Sequence, residues 1–210
     1  MDRRELLKMI ALVTGSAFIG GEMLLSGCTN GPGLGGTEFS ADDIAFLDEV
    51  GETILPKTNT PGAKEAQVGQ FMTVMVNDCY TPEEQATFHE GIRKLNEASE
   101  KKFKTGFMKA TPEQRKELLI ELDAEAKTYQ REKGEFDRAQ RQKEKEEIAK
   151  GNLDFKRETR PSHYFAMMKQ LTLLGFFTSK PGATQALRHV PVPGRYDGCL
   201  PYKKGDRAWA

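Results

Sequence analysis

Beyond residue 40 the chain repeats apolar residues at helical spacing, with polar residues filling the positions between them. That period predicts amphipathic helices. Ile44, Leu47, Val50 and Ile54 share one face, flanked by Phe46 and Leu55, behind a capping Ser40 and an acidic first turn of Asp42 and Asp43. Pro56 ends this helix, and Thr58-Asn59-Thr60-Pro61-Gly62 forms a turn cluster. A second helix is predicted from about Glu65 to Tyr80, with Val68, Phe71, Met72, Met75, Val76 and Cys79 inward. Two more open on one grammar, Thr81-Pro82-Glu83-Glu84 and Thr111-Pro112-Glu113-Gln114: threonine at the cap, proline at the first helical position, Glu or Gln at the third. Phe88, Ile92 and Leu95 form the apolar face of the first, and Leu118, Leu119 and Leu122 that of the second.

Three stretches depart from this pattern. Residues 133–160 are dominated by charges of both signs, which predicts a solvated helical extension or excursion supported by local opposite-charge pairs. A partner-binding arm is the alternative. From Ser162 the chain turns apolar nearly all round: Tyr164, Phe165, Met167, Met168, Leu171, Leu173, Leu174, Phe176 and Phe177. Such a helix is either the centre of the core or in part an interface. From Lys180 to Ala210 proline and glycine recur too often for a long helix, so this tail is expected to lie extended over a surface, its own or another protein's. The fold class expected is all-α: a single helical domain over residues 39–210 with an extended Pro/Gly-rich C-terminal tail, preceded by a cleavable signal segment.

The amino terminus follows another plan. Arg3 and Arg4 precede an apolar run, Met9 to Leu25, that ends in Leu25-Ser26-Gly27-Cys28. A basic start, an apolar middle and small residues before a cysteine are the layout of a removable signal. The segment resembles a bacterial twin-arginine export signal ending in a lipoprotein processing box. Residues 1–27 are therefore read as the signal peptide, Arg3 and Arg4 as the export signal, and Cys28 as the cleavage and lipidation position. A permanent membrane span is the alternative, since residues 9–27 approach the ~20 apolar residues required. Thr14, Gly15, Ser16, Gly20, Gly21 and Glu22 dilute the run, and a carboxylate near its end is unfavourable in a bilayer. Signals of this type carry proteins that are already folded, often around a cofactor or with a bound partner. Acyl chains on Cys28 would hold the mature protein at a membrane surface, with residues 28–38 as a flexible tether. Gly31-Pro32-Gly33-Leu34-Gly35-Gly36 matches the dinucleotide pattern G-x-G-x-x-G. It follows the lipidation position with no strand before it, so that reading is rejected.

Composition narrows the function. Lys plus Arg equals Asp plus Glu at 31 each, so no basic excess points to nucleic acid. Mean hydropathy is −0.59, which suits a soluble mature domain. Beyond Cys28 the cysteines are Cys79 and Cys199. An extracytoplasmic compartment permits a disulfide between them, and closing a loop of about 120 residues would stabilise by ~4–5 kcal/mol. Two free, buried cysteines are the alternative. The histidines, His89, His163 and His189, sit in no metal, haem or protease motif, and neither a phosphate-binding loop nor a nucleophile elbow is present. His163 beside Tyr164 reads as a helix-start residue. No catalytic, cofactor-binding or metal-ligating residue is assigned. Trp209 is either a docking anchor or part of a disordered end.

Two clusters carry a resemblance. Glu52-Thr53-Ile54-Leu55-Pro56 followed by Thr58-Asn59-Thr60-Pro61-Gly62-Ala63 is similar to the start of the gluconate 2-dehydrogenase subunit 3 family. Leu173-Leu174-Gly175-Phe176-Phe177-Thr178-Ser179 and Val192-Pro193-Gly194-Arg195-Tyr196-Asp197-Gly198-Cys199 resemble its C-terminal signature. They bracket the chain from about Phe39 to Trp209, and residues 133–160 carry no part of them. The resemblance implies a small accessory subunit, without a cofactor of its own, of a membrane-associated sugar or polyol dehydrogenase. The catalytic partner would be an FAD-containing flavoprotein of the glucose–methanol–choline type. A cytochrome c subunit, with its haem c, commonly takes the electrons. The small subunit would assist folding of the flavoprotein, carry it through the twin-arginine route to the periplasmic side and, through Cys28, anchor it to the membrane. The 164–177 helix and the tail would then supply contact surface, with Phe176, Phe177, Tyr196 and Trp209 as candidate interface residues. Two other classes stay open on the sequence: a stand-alone exported lipoprotein with a binding role, and an enzyme using His89, His163 or His189.

Overall fold

The computed structural model describes residues 38–210 apart from 193, 196 and 210. Arg3, Arg4, Cys28, the signal segment and all of the tether before Glu38 lie outside the described residues, as does Tyr196. Among the described residues five α-helices account for the regular structure, in keeping with the all-α expectation. We label them α1 (Ala41–Ile54), α2 (Val68–Cys79), α3 (Pro82–Phe103), α4 (Pro112–Ala149) and α5 (Tyr164–Thr178).

Three of the starts are the capping boxes that the sequence announces. Ser40, Thr81 and Thr111 accept from the backbone N–H of Asp43, Glu84 and Gln114, and those three side chains return to the capping residue's own amide. Each box satisfies two of the amides that a helix start leaves without an intrahelical partner. α2 begins at Val68, three residues later than predicted. Gln67 adopts a left-handed conformation (φ 53°) and makes no side-chain cap. The acceptor comes from another helix: Asp48 on α1 takes the Gly69 N–H at 2.7 Å. α5 is opened by His163, not Ser162, and its imidazole Nδ1 accepts from the Phe165 amide at 3.2 Å.

The core follows from the apolar faces. Phe46, Leu47 and Val50 of α1 meet Val68, Met72 and Val76 of α2, Phe88, Ile92 and Leu95 of α3, and Leu118, Leu119 and Leu122 of α4. α5 packs against all four other helices and buries Phe165, Met168 and Leu171 among them. A helix apolar nearly all round thus takes the central place. Cys79 departs from expectation: it closes α2 exposed, because the buried stripe of that helix ends at Val76.

The charged stretch is an arm. α4 runs unbroken for 38 residues, but its buried residues stop at Ala126. The helix then continues to Ala149 with an irregular strap, residues 150–161, doubling back along it. Arg160 lies 3.8 Å over the Phe136 ring, Arg157 pairs with Glu144 at 3.2 Å, and the Tyr129 hydroxyl donates to the Pro161 carbonyl at 3.1 Å. Strap and helix hold each other without a hydrophobic core.

Candidate partner-binding surface

The two sequence clusters with a family resemblance have clear structural work. Glu52, in the last turn of α1, accepts the amide of Lys57 at 2.8 Å on one carboxylate oxygen and that of Lys64 at 2.9 Å on the other. The carboxylate thereby folds the whole α1–α2 turn around itself. It lies so close to Gly62 that a Cβ there would sit 2.3 Å from an oxygen, which leaves glycine as the residue that fits. Ala63, fully buried, then donates its amide to the Leu55 carbonyl at 3.0 Å. At the other end of the domain Ser179 stops α5. Its hydroxyl donates to the Phe176 carbonyl at 2.6 Å and accepts from the Gly182 amide at 3.1 Å. Both clusters fix the backbone that presents α5.

One strip of α5 reaches the surface: Gln170, Leu173, Leu174 and Phe177, at helical spacing, all exposed. Three of the four are large and apolar, an unusual outer face for a helix whose other sides are core. Phe177 belongs to this strip as expected. Phe176 does not, being only 4% exposed; it stands edge-on beneath Phe177 with ring centroids 5.1 Å apart. The hundred-degree step between neighbours on a helix puts one ring inside and the next outside. Beside the strip, α4 and α5 enclose two adjoining recesses of about 290 and 450 Å³. The Asp123–Lys169 ion pair, at 2.6 Å, crosses between them.

The tail closes on itself. After a π-helical turn at Gly182–Ala186, the Arg188 amide donates to the Ala208 carbonyl at 2.7 Å and its guanidinium lies 4.8 Å from the Trp209 ring. Arg207 donates to the carbonyls of Thr184 and Gln185. Trp209 is therefore tied to its own chain and still 50% exposed. Val192, Leu200 and Tyr202 are exposed on the loop so closed. Cys199 is exposed there too, and Cys79 and Cys199 are both free thiols in this structure.

The histidines occupy three different environments. His89 is buried on α3, stacked on Phe39 at 4.1 Å, with Nδ1 lacking a partner. Burial lowers its pKa, against the pull of Asp43. His163 is a buried cap, between Tyr129 and Tyr164. His189 is exposed on the tail. Among the described residues no group of three or more His, Cys, Asp or Glu could hold a metal, and no helix is long and apolar enough to cross a membrane. Sequence reasoning missed the α4 wall of the recesses. Its one available signal was Ile120, an isoleucine off the stripe of Leu118, Leu119 and Leu122 and 60% exposed.

A family model described as gluconate 2-dehydrogenase subunit 3 matches residues 41–194. Neither the curated proteins nor the solved structures give a match. The matched span opens at the first residue of α1, takes in all five helices and ends in the tail. As it covers well over half of the sequence, the chain belongs to the gluconate 2-dehydrogenase subunit 3 family, named for one subunit of a multi-subunit dehydrogenase.

Proposed function

We propose that this chain is a non-catalytic accessory subunit of an FAD-dependent sugar or polyol dehydrogenase of the glucose–methanol–choline type, and that it helps the flavoprotein to fold, to be exported and to stay at the membrane. The family match over residues 41–194 is the observation that carries this reading. The outward apolar strip of α5 supports it, since a lone soluble domain gains nothing from exposing Leu173, Leu174 and Phe177 together. FAD belongs to the partner in this scheme, and a cytochrome c subunit takes the electrons.

The physical logic is order of assembly. A flavoprotein closes around FAD before it leaves the compartment where FAD is made, so it needs a route for folded cargo. A bound subunit bearing Arg3 and Arg4 supplies the address for both chains. Lipidation at Cys28 then keeps the pair on the periplasmic side of a membrane. Once there, Cys79 and Cys199 can be oxidised to a bridge that fastens the tail to α2.

Co-expression of the tagged full chain with the flavoprotein encoded beside it tests the scheme. The tagged chain is expected to bring down a flavin-yellow protein with acceptor-dependent sugar dehydrogenase activity. Replacing Arg3 and Arg4 by lysine is expected to strand both proteins in the cytoplasm, and Cys28→Ala to release the active pair from membranes. Normal export and activity of the dehydrogenase in cells lacking this chain would overturn the proposal.

A further inference from the structure

The two recesses between α4 and α5 form one groove, because they share Asp123 and Lys169. The first is floored by Leu119 and Phe165, the second by Ala126, Ala166 and Leu173. Along α4 the groove runs from Lys116 to Gln130, a length of ~21 Å at the helical rise, or about four turns of a helix laid into it. The two apolar floors lie ~10 Å apart along α4, from Leu119 to Ala126, which is the spacing of side chains about seven residues apart on an opposing helix.

Charge sets the flanks of the occupant. Lys116, Lys127 and Lys169 line the groove against a single carboxylate, Asp123. Both oxygens of Asp123 are engaged, one by Lys169 at 2.6 Å and the other by Lys127 at 2.8 Å, and these hydrogen bonds hold its pKa below the ordinary value. The lining thus carries a net positive charge beside an apolar floor. It suits an apolar ridge edged with carboxylates and repels one edged with lysine or arginine.

We infer that this groove seats an amphipathic helix of the dehydrogenase subunit, presenting two apolar side chains one heptad apart and flanked by Asp or Glu. The inference rests on the accessory-subunit reading and adds to it the docking element and its chemistry. Ile120 and Leu173 stand on opposite lips of the groove and would close over the seated helix.

The test uses the full chain co-expressed with its flavoprotein. Acetylation of lysines, read by mass spectrometry, is expected to slow at least fivefold at Lys116 and Lys127 in the complex, while Lys145 on the arm reacts as in the free chain. The double variant Ile120→Asp/Leu173→Asp is expected to lower the flavin recovered per chain at least tenfold. Both residues are exposed, and an unchanged thermal midpoint verifies that the variant folds. The pair Lys116→Glu/Lys127→Glu is expected to have a similar effect, strongest at low salt. Unaltered flavin recovery with both variants, or equal acetylation in complex and free chain, overturns the groove and leaves the accessory role standing. A dimer of the chain alone that dissociates in the same variants shows a second copy to be the occupant, and overturns it too. Failure of the wild-type chain to retain any flavoprotein undoes the accessory reading, and this inference with it.

Discussion

Gly91 shows how little space separates the central helix from its neighbours. It lies on α3 where α5 begins, and a Cβ built on it would stand 2.4 Å from the Cβ of Tyr164. Alanine is favoured over glycine within a helix by up to about 1 kcal/mol. Overpacking costs ~1–3 kcal/mol, and here the clash is with the root of a side chain, which no rotamer relieves. Gly91→Ala is therefore expected to destabilise by about 1–2 kcal/mol, seen as a lower urea midpoint at unchanged slope. His163 makes a different demand. Its Nδ1 must stay unprotonated to accept the Phe165 amide, while Nε2 faces Glu125 at 3.7 Å. Burial holds the imidazole pKa below its ordinary value, with Lys94 of α3 acting in the same sense and Glu125 of α4 against it; Tyr129 and Tyr164 complete the surroundings. The unfolded chain consequently binds this proton more readily than the folded one. Stability is expected to fall as pH drops below ~6.5, until the folded-state pKa is passed. His163→Asn keeps a capping acceptor that cannot titrate. It should flatten the plot of thermal midpoint against pH between about 7 and 5, leaving the smaller slope that buried His89 contributes in the same direction. An equally steep plot in the variant would show that the cap is not what titrates.

At the scale of elements, sequence and structure agree where the determinants are local. Ser40, Thr81 and Thr111 carry their own partners three residues on, so these helix starts are legible from four residues each. The start of α2 is not. Its acceptor is Asp48, 21 positions earlier, and only the packed α1–α2 pair brings it to Gly69. Phe176 and Phe177 fail to separate on the page for a related reason: an all-round apolar helix offers no polar side to mark which ring faces out. The charged arm shows the reverse, since its composition alone said that it builds no core. None of the buried residues of α4 lies beyond Ala126, and the strap is held by ion pairs and by cation–π contacts such as Arg160 on Phe136. Exposed ion pairs contribute at most about 1 kcal/mol each. Excision of residues 135–158, with a short glycine-containing turn in their place, is thus expected to change the unfolding free energy of the domain by no more than about 1 kcal/mol. A loss of several kcal/mol in the denaturant midpoint would place part of the core in the arm.

For the molecule as a whole, the division is between a body built around α5 and a tail that adds little to that body. The tail's large apolar residues, Val192, Leu200 and Tyr202, are exposed, and its closure rests on the Arg188 and Arg207 contacts to backbone and indole. A loop that buries almost nothing is free to change shape when another surface covers it, and Trp209 is the side chain that fixes its resting form. An exposed cation–π contact is worth ~0.5–1 kcal/mol, which corresponds to a roughly two- to fivefold change in the population of the open tail. Trp209→Ala should accordingly speed tryptic cleavage at Lys203, Lys204 and Arg207 by about that factor in the free chain, because cleavage of a transiently opened segment follows the open population. The thermal midpoint should stay where it was, since the core cluster contains no residue beyond Ala186. Cleavage at the wild-type rate would mean that the backbone bridge at Arg188 closes the tail without help from the indole; a lowered midpoint would mean that the tail carries part of the body's stability.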